Sequence, residues 1–206
     1  MKKGELFILS SPAGGGKTTL ANLLIKEIPN LKRVITCTTR KPRPGEKNGV
    51  DYYFLSKEEF ERRIKENDFL EYAIVHGNYY GTPKKEVEEE LQKGFDLLLI
   101  IDVQGMRQIV SNKKDVVTIF ILPPSLDELV RRMKERGDSE EEIQKRLKTA
   151  KKEIPAWKEY NYVVINDNLD KAKENIKYII LSNRLKTERF DVSKIKDEEL
   201  KKLMQG

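Results

Sequence analysis

One short stretch restricts the fold of this chain more than any other. Ser10-Ser11-Pro12-Ala13-Gly14-Gly15-Gly16-Lys17-Thr18-Thr19 follows the apolar run Leu6-Phe7-Ile8-Leu9 and precedes Leu20-Ala21-Asn22-Leu23-Leu24-Ile25, whose pattern is helical. A glycine-rich loop therefore joins a buried strand to a helix N-terminus. Glycines let backbone N–H groups converge on a phosphate chain, a Lys after the last glycine reaches the outer phosphates, and the next hydroxyl is placed to ligate Mg²⁺. Gly14, Gly16, Lys17 and Thr18 stand in that register, with Ala13, Gly15 and Thr19 completing the cradle. Ser11 takes a position where the pattern asks for Gly. The competing reading, a turn that binds nothing, leaves Lys17 and Thr18 without a role, so the expectation is a protein that binds a nucleoside triphosphate.

Continuous apolar runs at 6–9, 97–101, 116–122 and 162–165 are separated by helical patterns. Strands without alternation, divided by amphipathic helices, predict a parallel sheet covered on both faces, the α/β class. Two segments interrupt this order. Residues 34–90 shift to Thr, Arg, Pro, Gly and Tyr, with strand-like pieces at 34–38 and 52–55 and a helix at 57–67, the composition of an inserted α+β lobe. Residues 126–156 are charged and helical with a break at Gly137-Asp138, and Ser139 followed by Glu142 has the spacing of a capping box. Helix, glycine break and arginine-rich helix is the outline of a mobile lid. The core is then expected in 1–33, 91–125 and 157–190, with 191–206 a charged C-terminal tail.

With 206 residues, one Cys and one His, the chain can bury one sizeable core but can form neither an internal disulfide nor a Cys- or His-paired metal site. Metal chemistry must be oxygen-ligated. The net charge is +6, yet 34 acidic residues are interspersed with the basic ones, which suits small polyanions at least as well as a nucleic-acid track. No run approaches the length of a membrane span, and Met1-Lys2-Lys3-Gly4-Glu5 leads into a strand without a signal-peptide pattern. A cytoplasmic chain is expected, with no membrane and no nucleic-acid partner.

Two further groups bear on chemistry. The run 97–101 ends in Asp102, where a carboxylate can hold a Mg²⁺ shell near Lys17 and Thr18 or simply cap the next helix. In Thr36-Cys37-Thr38-Thr39-Arg40-Lys41-Pro42-Arg43-Pro44-Gly45-Glu46, two prolines stiffen a segment whose Arg40 and Arg43 can converge on one anion or form a solvated basic turn.

The stretch 38–46, then Gly49-Val50-Asp51-Tyr52-Tyr53-Phe54, Gly77-Asn78-Tyr79-Tyr80-Gly81-Thr82 and Asp102-Val103-Gln104-Gly105, resembles the guanylate kinases. So do Pro123-Pro124-Ser125, Arg132, Arg136-Gly137 and Arg146. The resemblance runs in family order from the first strand to Val164-Ile165-Asn166-Asp167. It implies a parallel five-stranded core sheet flanked by helices, an inserted GMP-binding lobe and a helical lid. It further implies transfer of a phosphoryl group from ATP, with Mg²⁺, to GMP or dGMP, by a chain that is a monomer or homodimer. By this resemblance Arg40, Arg43, Tyr52 and Tyr80 hold the GMP phosphate, Asp102 stands at the GMP site, and Thr36, Glu71 and Thr82 read guanine. Guanine offers adjacent N1–H and N2–H₂ donors that an ionised carboxylate accepts together, whereas adenine N1 opposes it. Without the family, Glu71 reads as a solvated surface acid. Lys17, Arg132, Arg136 and Arg146 are implied to act on the transferring phosphoryl group, and Asn166 to lie near the adenine of ATP. The bland alternatives are helix-surface pairs, Glu128 with Arg132 and Glu142 with Arg146.

Ser11 and Ile100 depart from the family pattern, Ile100 standing where many relatives carry an acid two residues before Asp102. Two rivals stay open: a kinase of similar outline acting on a ribose bisphosphate, which has no need of guanine readers, and a silent guanylate-kinase-like module that binds peptides. The intact loop argues against the second.

Overall fold

Each of the five residues of β1 (Leu6–Ser10) is buried, and this explains why its sequence shows no alternation. Phe7 and Leu9 pack into one cluster while Leu6 and Ile8 pack into another on the opposite face. The strand runs parallel to β7 (Asp96–Ile100) on one side and β8 (Val116–Leu122) on the other. β2 (Leu31–Arg33) and β9 (Tyr162–Ile165) close a five-stranded parallel sheet ordered β2-β7-β1-β8-β9. The expected α/β core is therefore present. The computed structural model describes residues 3–75 and 77–205, and the side chain of Gln205 is not described. Met1, Lys2, Gly206 and the single histidine, His76, lie outside the described residues.

Helices cover both faces. α1 (Lys17–Glu27) and α7 (Leu169–Asn183) bring Leu20, Leu24, Ala172, Ile176 and Ile180 against Phe7 and Leu9. On the other face, α3 (Lys84–Gln92) and α4 (Val103–Asn112) contribute Val87, Leu91, Met106 and Ile109. Each fully buried Leu, Ile or Phe is worth ~1.5–3 kcal/mol, so these two clusters make the sheet the fixed frame of the molecule. Ile100, at the position where an acid was expected from the resemblance, is half-buried and packs against the Phe7 and Leu9 cluster.

A second sheet, ordered β4-β3-β6-β5, stands apart. It comprises β3 (Cys37–Thr38), β4 (Tyr53–Phe54), β5 (Phe69–Val75) and β6 (Asn78–Pro83). α2 (Lys57–Lys65) lies over it and Phe60 stacks on Phe69 at 4.3 Å between ring centroids. The strands expected at 34–38 and 52–55 are thus shorter than their sequence pattern. The β5–β6 pair was not legible at all: Leu70 joins the main core, Phe69 the small cluster, and Glu71 neither, so no period of two emerges.

After Pro123-Pro124, Ser125 caps α5 (Leu126–Glu135) by accepting the Glu128 N–H. Gly137 reverses the chain at φ 84°, and α6 (Glu140–Glu153) opens with the full Ser139/Glu142 capping box. Among the described residues Leu129, Met133, Ile143 and Ala150 form the buried cluster between these two helices, with half-buried Ala13 and Val130 packed against it. Beyond α7 the described residues include one further helix, α8 (Glu198–Gln205).

Candidate active site

The loop between β1 and α1 leaves the helix end open. Gly16 caps α1 at φ 91° with no side-chain hydrogen bond, and the first turn carries no acid. Its free amides and the positive end of the helix dipole thus face outward. A Cβ at Gly16 would lie 2.5 Å from Asn166 Nδ2. Ser11 fits for a related reason: its side chain occupies the space that a Cβ at Gly15 would enter at 2.7 Å, and its hydroxyl donates to the Pro12 carbonyl at 2.9 Å. Lys17 Nζ donates to the Ser11 carbonyl at 3.1 Å, folded back across the loop. Burial lowers the Lys17 pKa, against the pull of Glu153 and Asp102, with Arg136 adding to the lowering.

Ala13, Gly14, Gly16, Lys17, Thr18 and Thr19 form one wall of a recess of about 260 Å³, and Arg136 and Arg146 form the other. Arg136 Nη2 lies 3.2 Å from the position of a Cβ on Gly14. Arg146 pairs with Asp138 at 3.3 Å, not with Glu142, whose carboxylate is held by Ser139. Arg132 is set apart from these two. Its Nε donates to Glu128 at 2.7 Å and its Nη2 to the Asn166 carbonyl at 2.9 Å, and it lines an adjoining recess with Gly16, Thr19, Asn166 and Leu169. Asn166 is buried, donates from Nδ2 to the Gly15 carbonyl at 3.0 Å, and has an Oδ1 without a partner among the described residues.

Asp102 follows β7, which neighbours β1 in the sheet, so topology alone carries it beside the loop. It caps α4: Oδ1 accepts the Gly105 N–H at 2.9 Å, and Oδ2 makes no hydrogen bond among the described residues. Both sequence readings of Asp102 are thus compatible, since the cap uses one oxygen. Roomier recesses exist elsewhere. The one between β2 and α3, about 390 Å³, sets Lys32, Arg33 and Lys93 against Glu86, Glu89 and Glu90, so its charges largely cancel.

Glu71 and Thr82 face each other across β5 and β6. Thr82 Oγ1 donates to Glu71 Oε1 at 2.5 Å, and Glu71 is 8% exposed and Thr82 fully buried. Burial pushes the Glu71 carboxyl up to about 7; the Asp102 charge adds to this while hydrogen bonds from Thr82 oppose it. This is the opposite of a solvated surface acid. A buried carboxylate without a cation partner is costly unless a ligand supplies donors.

Arg40 donates to both Glu46 oxygens at 2.8 and 3.0 Å, and Glu46 also accepts the Arg43 backbone N–H at 2.7 Å. Those bonds, Arg40 first, hold the Glu46 carboxyl below its usual range. The Tyr52 and Tyr80 rings meet edge-on at 6.2 Å, with the Arg40 guanidinium 5.5 Å from the Tyr52 ring. The Arg43 residue is exposed, and Thr36, half-buried, gives its carbonyl to the Tyr53 N–H at 2.9 Å. Two acids had no role in the sequence reading. Glu46 orients Arg40, and its position across a Pro-Gly turn from Arg40 is a usable signal. Glu153, at the end of α6, has its carboxyl pushed up by burial and lies within electrostatic reach of Lys17 and Asp102; nothing in its charged surroundings in the sequence marks it.

Comparison with known proteins agrees with this geometry. The family model described as guanylate kinase matches residues 3–183. The guanylate kinase of Clostridium tetani is 48% identical over 97% of this chain and 96% of its own length. That of Rickettsia prowazekii is 49% identical over 89% and 94%. The crystal structure of guanylate kinase from Anaplasma phagocytophilum superposes with a TM-score of 0.73 at 37% identity, covering 92% of this chain and 90% of that one. With a glycine loop, a buried carboxylate and the arginines of α5 and α6 in one frame, and similarity of this extent, the chain belongs to the guanylate kinase family.

Proposed function

We propose that this chain transfers the γ-phosphoryl group of ATP to GMP or dGMP, giving ADP and GDP or dGDP. In this reading the P-loop and Lys17 hold the triphosphate, Arg136 and Arg146 face the transferring group, and Asn166 with Arg132 borders the nucleoside of ATP. Residues 34–90 form the GMP lobe and 126–156 the lid. Arg40, Arg43, Tyr52 and Tyr80 take the GMP phosphate; for Arg40 that anion replaces Glu46. Thr36, Glu71 and Thr82 read the base. The Thr82 hydroxyl acts by orienting Glu71, because its proton is already committed to that carboxylate.

Mg²⁺ fits the donor set. Among the described residues no three His, Cys, Asp or Glu side chains gather to hold a metal. The Thr18 hydroxyl and the free Asp102 oxygen are the sparse oxygen ligands that suit an ion held mainly by nucleotide phosphates and water. When bound, Mg²⁺ supplies neutralisation of charge on the β- and γ-phosphates. No general base is required: the second pKa of a phosphate monoester is ~6, so the acceptor is already nucleophilic near pH 7. The chain's own contribution is alignment by Arg40 and Arg43, and charge stabilisation by Lys17, Arg136 and Arg146 in a site closed to water. Among the described residues no helix is long and apolar enough to cross a membrane, and a cytoplasmic location suits these substrates.

The observation that carries the guanine assignment is the buried, Thr82-oriented Glu71 carboxylate. The test measures ADP production from ATP and Mg²⁺ with GMP, dGMP, AMP, CMP, UMP and ribose 1,5-bisphosphate offered separately. Turnover with GMP and dGMP at least ~10⁴-fold above AMP in kcat/KM is expected of a site built on paired hydrogen bonds. Preference for the ribose bisphosphate, or no turnover at all, overturns the reading in favour of the other kinase or the silent module.

A further inference from the structure

Gly105 sits three residues after the Asp102 cap, in the first turn of α4. Its backbone is helical and outside the left-handed region, so nothing in its conformation demands glycine. Helix propensity alone favours Ala there by ~1 kcal/mol. What faces the residue is different. A Cβ on Gly105 would lie 3.2 Å from Glu71 Oε2, 3.3 Å from Ile101 Cδ1 and 3.4 Å from Ile101 Cβ. Neither neighbour yields easily. Glu71 is held at its other oxygen by Thr82 and by the β5–β6 register, and Ile101 packs against the core.

We propose that Gly105 is a specificity-determining position: by lacking a side chain it leaves Glu71 Oε2 in place and free to accept the second of guanine's two adjacent N–H donors. Gly105 is a positioning residue, acting on the base through Glu71. A methyl group here displaces or covers one of the two acceptors, and a buried donor on the base is then left without its partner. The same turn ties the two halves of the site together, because the Gly105 N–H caps against Asp102 while its Cα faces Glu71. The proposal rests on the guanine reading of Glu71.

The test is a cycle of Gly105→Ala and Glu71→Asp, read as kcat/KM for GMP and for AMP, with KM for ATP and the melting temperature as controls. Gly105→Ala is expected to lower kcat/KM for GMP about tenfold, mainly through KM, and to narrow the GMP-to-AMP ratio by the same factor. KM for ATP should stay within about twofold, and the melting temperature should fall only slightly, because the helix preference for Ala offsets part of the crowding. Shortening the acid by one methylene removes the crowding, so in the Glu71→Asp background Gly105→Ala should change kcat/KM for GMP by less than about twofold. Equal factors in both backgrounds, or an unchanged GMP-to-AMP ratio, overturn the proposal. If Gly105→Ala alone does not fold, recovery of folding in the double variant supports crowding against Glu71, and failure of both overturns it. Glu71→Gln, assayed alongside, separates the two ideas. An unchanged ratio in that variant removes the guanine reading itself; a narrowed ratio there with an unchanged one in Gly105→Ala removes only the role of Gly105.

Discussion

At the scale of single residues, burial without a neutralising partner is the common device. In the proposed function Glu71 must be ionised to accept two guanine donors, yet burial holds its carboxyl up to about 7. The sign follows directly: as pH falls through 7 the carboxyl takes up a proton, and GMP binding must then release it. KM for GMP should rise roughly tenfold between pH 8 and pH 6 from this group. The phosphate of GMP titrates near ~6 and adds a shallower term, which Glu71→Gln retains. Profiles of KM against pH in the two proteins check this; parallel profiles contradict it. Lys17 is the cationic counterpart, desolvated and with a lowered pKa. Lys17→Ala should cost at least about 10²-fold in kcat, as loss of a preorganised charge stabiliser does. Because burying that charge opposes folding, the melting temperature of the variant should not drop. Near-normal turnover in the folded variant removes Lys17 from the mechanism.

At the scale of elements, α5 and α6 show how local rules build a helix pair. Ser125 and Ser139 define both helix starts and Gly137 the turn between them, while the buried cluster joining the pair is small. Local signals of this kind sit in contiguous residues, so the outline of two helices broken at Gly137 was readable in the sequence. What the helices do with their arginines was not, because a side chain's partner depends on what lies opposite. Arg136 and Arg146 turn to the loop while Arg132 bonds the Asn166 carbonyl. Arg136→Ala and Arg146→Ala should each lower kcat by about 10²-fold or more; Arg136 is exposed and should change the melting temperature little, whereas Arg146→Ala also removes the half-buried pair with Asp138 and should cost about 1 kcal/mol. Steady-state kinetics with thermal denaturation checks both halves; a large thermal loss with full activity at lower temperature assigns them a structural role instead.

At the scale of the whole molecule, Asp96 joins parts of the chain that are far apart in sequence. Only 2% exposed at the start of β7, it accepts the Glu5 N–H, Arg184 Nε and Arg189 Nη2, each at 2.8 Å. Arg189 also donates to Glu5 at 3.0 Å, so the segment after α7 docks on the core through this cluster. Asp96→Ala leaves the Glu5 N–H unpaired and takes one acceptor each from Arg184, which keeps the Pro29 carbonyl, and Arg189, which keeps Glu5, and should cost ~3 kcal/mol. For a chain of this length that lowers the melting temperature by about 10 °C. The cluster is remote from the loop and lid, so kcat/KM at 25 °C should stay within about twofold. A melting temperature lowered by less than ~2 °C contradicts the clamp.

The sequence by itself determined the glycine-rich loop, the buried strands and the helices α5 and α6, because each is written in contiguous residues: a loop between strand and helix, an apolar run, a cap with its third-residue partner. Resemblance to a family added Glu71, which its own neighbours in the chain mark only as an acid among mixed residues. The tertiary structure alone decided that Glu71 is buried, that Thr82 orients it, and that Gly105 makes room for it. Those relations join β5, β6 and α4, and no local pattern encodes the register of one strand on another or the approach of a helix to their pair. The same holds for Asp96 and Arg189, whose meeting requires the sheet and α7 to be in place first.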